Sequence, residues 1–377
     1  MSRALVLSGG GARAAYQVGV LNAVNDIIGK SETSPFPIIC GTSAGAINAL
    51  ALASHLSTFD NAIADLVTIW DNLHVENVVK AGWKDIALGV KRLTGAFFNQ
   101  GIAKSDSIAL LDNSPLKTLL QSHINFSNLK PSIESGKLHA VAVTAMAYST
   151  GESISFFQGH SSIRNWRRYN RLGLSTELSI DHLLASSAIP GVFPSVKIND
   201  EYYGDGAVRQ LSPLSTALQL GADKIFIVGV SDSRNPEHWN KRHMAKHSPS
   251  MGQMFGHLLD SAFLDSMDAD LEHLEHVNDL INLIPAPLRV GHPKARKIES
   301  ISISPTKDVD RIAGRHVRYL PKPLKAILAS SGATAKGGGA GLASYLLFSN
   351  KFTKTLMDLG YQDAMWERDK ILRFFED

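Results

Sequence analysis

Cysteine is almost missing: the chain of 377 residues holds one, Cys40. An intramolecular disulfide is therefore excluded, and so is a zinc site built from several thiolates. So little cysteine favours a reducing compartment. A surplus of charge of either sign is lacking too. Lys and Arg number 38 against 35 Asp and Glu, a formal charge of +3, which is no electrostatic footprint for a nucleic-acid partner. No apolar run approaches the ~18 residues of a membrane span. The first residues, Met-Ser-Arg-Ala-Leu-Val-Leu-Ser, run into glycines too early for a secretory signal. No acid-rich loop of Asp-x-Asp-x-Asp-Gly spacing is visible, so no calcium site and no cofactor is expected. Charged residues make up only 19% against 44% hydrophobic, too apolar a balance for a disordered chain. The expectation is a globular, cytoplasmic protein with a sizeable core. Its length predicts one large domain with an addition, or two domains, at ~150 residues each.

What is present first is an alternation of short apolar runs and helical periodicity. Residues 3–8 read as a buried strand ended by Gly9, Gly10 and Gly11. From Ala14 to Ile28, apolar residues recur at steps of three and four, the mark of a helix. Ile38-Ile39-Cys40 is a second strand, and Ala46 to Leu56 a second helix. Strand, helix, strand, helix predicts an α/β fold with parallel strands. Leu138–Met146 and Ser153–Phe157 read as a hairpin about Ser149-Thr150-Gly151, and Lys224–Val230 as a central strand. Residues 75–115 are less regular and are placed as a cap or insertion. After Val230 a polar, basic loop (231–250) leads into a long helical stretch, 251–284. Met254, Leu258, Ala262, Leu271, Leu274, Ile281 and Ile284 lie along one side of it. Two further helices follow a glycine-rich gap at 332–341. The division expected is 3–230 as one domain and 231–377 as a C-terminal, largely helical extension.

Two glycine motifs carry the chemistry. Gly9-Gly10-Gly11-Ala12-Arg13-Ala14 lies between a strand and a helix. Read as Gly-x-Gly-x-x-Ala it suggests a dinucleotide, but a carboxylate is required at the end of the second strand. That strand ends in Cys40-Gly41-Thr42-Ser43 instead. The physical content left is a run of open backbone N–H groups at a helix N-terminus, which suits an anion, including a transient oxyanion. The second motif, Gly41-Thr42-Ser43-Ala44-Gly45, is a Gly-x-Ser-x-Gly between strand and helix. That is the setting of a nucleophile elbow, with the serine on a strained turn facing a helix dipole. The alternative reading makes Thr42 or Ser43 a helix N-cap.

The serine needs a base. Of the 14 histidines, His238, His243 and His247 fall in the basic loop, and His257, His273 and His276 on a helix surface. Asp205 sits in a strand-to-loop setting, between Gly204 and Gly206. It is either a base or part of an Asp-Gly turn.

Taken in order and spacing, Gly9-Gly10-Gly11-Ala12-Arg13, Gly41-Thr42-Ser43-Ala44-Gly45 and Asp205-Gly206-Ala207 resemble the motifs of the patatin-like phospholipases. Leu184-Ala-Ser-Ser-Ala-Ile-Pro190, followed by Phe193-Pro194, resembles that family's segment ahead of its Asp-Gly motif. The resemblance covers roughly residues 3–230. It implies a three-layer α/β/α sandwich around a mostly parallel sheet. It also implies calcium-independent hydrolysis of lipid acyl esters by a Ser–Asp dyad without histidine. Carried over, Ser43 is the nucleophile, Asp205 the base, Gly41 and Gly45 the elbow glycines. Gly9, Gly10 and Gly11, with Arg13 beside them, form the oxyanion hole. Ala14 departs from the family, which often has glycine there. An acyltransferase or thioesterase on the same dyad, and a dinucleotide-binding module, are the other readings. The partners expected are a lipid acyl ester and peripheral contact with membrane lipid, with the oligomeric state left open.

Two weaker features have ordinary explanations. Arg164, Arg167, Arg168 and Arg171, around Trp166 and Tyr169, read as a solvated helix face with its aromatics inward. The alternative is a contact for lipid phosphate. The acids of 251–284 argue against a membrane-surface helix, since such helices are usually basic.

Overall fold

The computed structural model describes residues 2–29, 31, 33–55, 57–98, 108–231, 248–289, 296–332 and 340–376. Among these described residues, ten strands form one mixed sheet: β1 (Arg3–Leu7), β2 (Ile38–Thr42), β3 (Ala140–Ala147), β4 (Ser153–Gly159), β5 (Trp166–Arg168), β6 (Arg171–Ser175), β7 (Val196–Ile198), β8 (Glu201–Asp205), β9 (Lys224–Val228) and β10 (Glu299–Ile303). The order is β10-β9-β1-β2-β3-β4-β6-β5, with β8 also on β3 and β7 on β8. Strands β10, β9, β1, β2 and β3 are parallel. Beyond them β4 and β8 pair with β3 antiparallel, because the connection from β3 to β4 is too short for a crossover, while β6 runs parallel to β4. The expected parallel sheet is thus its central part.

Side chains alternate across the sheet with a period of two. Leu5, Leu7, Ile39, Val141 and Val143 face one core, and Ala4, Val6, Ile38, Cys40, Ala140 and Ala142 the other. Against the first pack helices α1 (Ala15–Ile28), α2 (Ala44–Ala53) and α3 (Phe59–Asp71). Helix α4 (Ser114–His123) adds Leu116 and Leu120 to the same core. The region around 75–115 contributes helices Val75–Val78 and Trp83–Phe98, with residues 99–107 outside the described residues.

Residues after 230 share these cores. Helix α5 (Met251–Asp260) passes through a π-helical turn, Ser261–Asp265, into α6 (Ser266–Asn282). Met267, Leu271 and Leu274 of α6 cover the second face of the sheet. β10 extends the parallel sheet beside β9 in full register. Helix α7 (Ala340–Leu346) precedes α8 (Asn350–Trp366), which lies along α1. Gly19 and Gly360 make that approach possible, since a Cβ at either would strike the other helix's backbone. Phe374 and Phe375 pack on Phe226.

Two expectations are corrected here. The arginine cluster is no helix: Trp166–Arg168 and Arg171–Ser175 form a hairpin at the sheet edge, turning through Asn170 at φ 51°. Trp166 stacks on Phe157, but Tyr169 is exposed. The apolar side of 251–284 is also shifted. Leu259, Phe263, Met267, Leu271, Leu274 and Ile281 are buried, whereas Met254 and Leu258 are exposed. The π turn inserts an extra residue and changes the phase of the helix. The basic loop's residues 232–247, with His238, His243 and His247, and the glycine-rich 333–339 lie outside the described residues. Among the described residues, no helix is long and apolar enough to cross a membrane.

Candidate active site

Ser43 joins β2 to α2 with φ 55° and ψ −127°. A non-glycine residue there stores about 1–3 kcal/mol of backbone strain, so its neighbours must hold it. Two features do so. A Cβ at Gly41 would collide with the start of α2, and one at Gly45 with the carbonyls of Leu7 and Ser8. Both glycines are needed for helix and strand to close on the turn. In addition, Ser43 N–H donates to Ser186 Oγ at 2.9 Å, and that hydroxyl donates to the Thr144 carbonyl at 2.7 Å. Neither Thr42 nor Ser43 caps α2 through its side chain. Thr42 Oγ1 instead donates to Gln210 Oε1 at 2.6 Å. The Ser43 hydroxyl is left for other work.

The glycine loop lies against this turn. A Cβ at Gly9 would come within 3.1 Å of Ser43 Cβ and would run into the Phe263 ring. Gly11 has φ +55° and opens a single turn of 3-10 helix, Gly11–Ala14, that leads into α1. Among the described residues, no acceptor takes the N–H groups of Gly9, Gly10, Gly11 or Ala44. Helix starts leave such donors open. The loop is held from behind: Gln17 Nε2 donates to the Ser8 carbonyl at 2.8 Å, Asn48 to Gln17 at 2.9 Å, and Trp70 to Asn48 at 2.8 Å.

Arg13 departs from its expected place in the oxyanion hole. Its guanidinium is buried and turned toward the C-terminal elements. Nε donates to Ser344 Oγ at 2.7 Å, and Nη2 pairs with Asp310 at 2.6 Å and Asp260 at 3.4 Å. The guanidinium also sits over the Tyr345 ring. Arg13 therefore ties the loop to the C-terminal elements.

Asp205, at the end of β8, is fully buried. Its N–H donates to the Ala188 carbonyl at 2.8 Å, and its Oδ1 accepts Ala207 N–H at 3.0 Å. The Asp-Gly pair is no hairpin turn; Gly206 is required because a Cβ would strike the Thr144 carbonyl. Oδ2 is buried without a bond of good geometry. The Ser43 hydroxyl is nevertheless near enough to act on the carboxyl as a donor. Burial pushes the Asp205 pKa up to about 7, while the Ser43 hydroxyl and the Ala207 amide act to lower it. His257, His273 and His276 are exposed on their helices.

Beside Ser43 opens a cavity with an almost wholly apolar lining. Ile47, Trp70, Val78, Leu120, Tyr345 and Phe348 wall it, and Ser43 and Ser187 are its serines. Such a cleft fits an alkyl chain better than a nucleotide, which needs polar partners. Among the described residues, no three His, Cys, Asp or Glu side chains are grouped to hold a metal ion.

The model of the family described as patatin-like phospholipase matches residues 5–218, more than half of the sequence. The chain belongs to the patatin-like phospholipases. A cGAMP-activated phospholipase of Pseudomonas aeruginosa is 28% identical over 210 residues, 55% of this chain and 53% of that protein. The match thus spans about half of that relative's length. Among solved structures, human GIVD cytosolic phospholipase A2 aligns with 99% of this patatin-like chain and 58% of its own, at 12% identity and a TM-score of 0.45. VipD from Legionella pneumophila aligns with 98% and 67%, at 13% identity and a TM-score of 0.34.

The family match ends before β9. Three contacts of the patatin-like glycine loop nevertheless come from beyond it: Phe263 against Gly9, Val230 against Gly10, and Tyr345 against Gly11. Sequence reasoning missed these, and it missed Ser186 and the Ala44 amide. A hydroxyl in Leu-Ala-Ser-Ser-Ala carries no local mark of its partner 143 residues away. The Ala44 amide was legible in principle, since the residue after an elbow nucleophile commonly supplies an oxyanion donor.

Proposed function

We propose that this protein is a serine lipid acyl hydrolase that works through Ser43 and Asp205. The observation that carries the reading is the buried Asp205 carboxyl, its pKa near 7, directed at a serine on a strained elbow between open amides and an apolar cavity. In the first half-reaction, Ser43 Oγ attacks the ester carbonyl carbon while Asp205 takes the Oγ proton. The carbonyl oxygen becomes an oxyanion and is met by the N–H groups of Gly9 to Gly11 and Ala44, each donor contributing ~3 kcal/mol in comparable sites. Collapse releases the alcohol, which takes the proton from Asp205, and leaves an acyl-serine. Water then attacks that ester, passing its proton to Asp205. The fatty acid departs and Ser43 recovers its proton. A base with a pKa near 7 suits this work at neutral pH. The cavity holds the acyl chain, and no metal takes part.

A fluorophosphonate probe and phospholipid vesicles test the reading. The wild-type chain should be labelled at Ser43 and release free fatty acid, in EDTA as in buffer. Ser43→Ala should do neither. Fatty acid release is measured with and without cGAMP, the activator named for the Pseudomonas relative. A folded chain that is unlabelled and inert under both conditions contradicts the proposal. Fatty acid appearing only on an added alcohol or thiol acceptor would point to acyl transfer.

A further inference from the structure

Helix α5 is built inside out. Its buried residues are Gly252, Gly256 and Leu259. Met251, Met254, Phe255 and Leu258 are 71%, 47%, 36% and 66% exposed. Their spacing of i, i+3, i+4, i+7 gathers them on one outward face, where a surface helix ordinarily carries polar residues. The inward glycines explain how α5 lies close to α7, since Gly256 faces the backbone of Leu342. They do not explain four large apolar side chains directed into water.

Charge and position narrow what covers this face. The one carboxylate of α5, Asp260, is turned inward to Arg13 and the Tyr345 hydroxyl. The outward face therefore has no acid. Of the acids that argue against a lipid surface, Asp268, Asp270, Glu272, Glu275 and Asp279 lie on α6, and the exposed Asp265 closes the π turn just after α5. That turn places Phe263 against Gly9, so α5 stands beside the glycine loop. The turn after Asp205 packs against the same π turn and carries Val208, with Leu211 just beyond it, both exposed. Two apolar projections thus flank the Ser43–Asp205 pair.

We propose that this face docks on the surface of a phospholipid bilayer, with α5 lying in the headgroup region and the site opening toward the lipid. The proposal rests on the lipid acyl hydrolase reading, in which the substrate is itself a component of the bilayer. A bilayer brings that substrate to a face joined, through Phe263 against Gly9, to the glycine loop. Interfacial helices bury their apolar face ~5–10 Å into the headgroup boundary, and their affinity follows the apolar area buried.

The test uses the full chain carrying Ser43→Ala, so that vesicles are bound without being consumed. Vesicles of phosphatidylethanolamine and phosphatidylglycerol are sedimented with this chain and with one that also carries Met254→Gln and Leu258→Gln. The parent should sediment with the vesicles, and the substituted chain should bind at least about tenfold more weakly. With Ser43 intact, the two substitutions should lower turnover of vesicle phospholipid. Hydrolysis of a water-soluble short-chain ester and the melting temperature should stay as in the wild type. Equal vesicle binding by both chains overturns the proposal. So does a parent that stays in the supernatant, an equal loss on the soluble ester, or a parent dimer that the substitutions dissociate. Failure of the hydrolase reading shows differently, as no soluble-ester turnover and no fluorophosphonate labelling in the unsubstituted chain, whatever the vesicles do.

Discussion

Asp205 answers to two opposing demands. The proposed reaction needs its carboxylate, and burial disfavours that form. Its pKa of about 7 in the folded chain stands above the ordinary 3.8. Between those values the native state holds a proton that the unfolded state has released, so stability falls as pH rises through that window. Above it, the ionised carboxyl costs the fold about 4 kcal/mol. Asp205→Asn removes that cost without changing the side chain's shape. The variant should melt at a higher temperature than the wild type at pH 8, with the gap shrinking toward pH 4. It should also lose ester turnover by ~10²–10⁴, the usual worth of a general base. Thermal melts across pH, beside steady-state rates, check both halves. Ser186 makes a milder case. Ser186→Ala leaves the Ser43 amide buried without an acceptor, at about 1–3 kcal/mol. The elbow loosens, so kcat should fall about tenfold or more with KM little changed. A rise in KM alone would assign Ser186 to substrate binding instead.

Among the elements, the glycine loop is the most constrained. It is held by β1 behind it, by Phe263 and Tyr345 in front, and by Arg13 below. Arg13 is buried, while the side chains of Asp260 and Asp310 keep 26% and 41% exposure, so solvent screens part of the charge its removal leaves behind. Arg13→Met keeps the stem and leaves Asp260 and Asp310 facing each other. It should destabilise the protein by about 1–3 kcal/mol in urea unfolding, and lower turnover although Arg13 touches no substrate. These elements differ in how much of them the sequence displays. The elbow, the loop and the Asp-Gly pair were legible because each rests on a glycine that nothing larger replaces. The hairpin at 166–175 was not, since four arginines in eight residues look alike on a helix and on an edge strand. The phase of α5 was hidden by the π turn, which no residue of 261–265 announces.

At the scale of the whole molecule, the division at residue 230 is a boundary of motifs and not of packing. β10 completes the parallel sheet, α8 covers α1, and Tyr345 and Phe348 wall the cavity beside Ser43. The α/β architecture was readable from alternating strands and helices. The part played by 231–377 was not, because contacts such as Tyr16 with Asp363 join residues 347 positions apart. A chain ending at residue 230 exposes α1 and the β9 edge, and should be recovered in the insoluble fraction. A soluble, folded 2–230 that hydrolyses esters would show that the C-terminal part is dispensable.

The central claim is that Asp205 is the base for Ser43. The most direct measurement is the pH dependence of the rate at which a fluorophosphonate modifies Ser43, in the wild type and in Asp205→Asn. This isolates the first proton transfer from product release and from lipid binding. The wild-type rate should rise with pH through a single ionisation near 7, following the buried carboxyl. In Asp205→Asn the rate should be lower by at least ~10² and the rise near 7 should vanish. An unchanged midpoint in a folded Asp205→Asn would contradict the account, and would show that another group takes the proton.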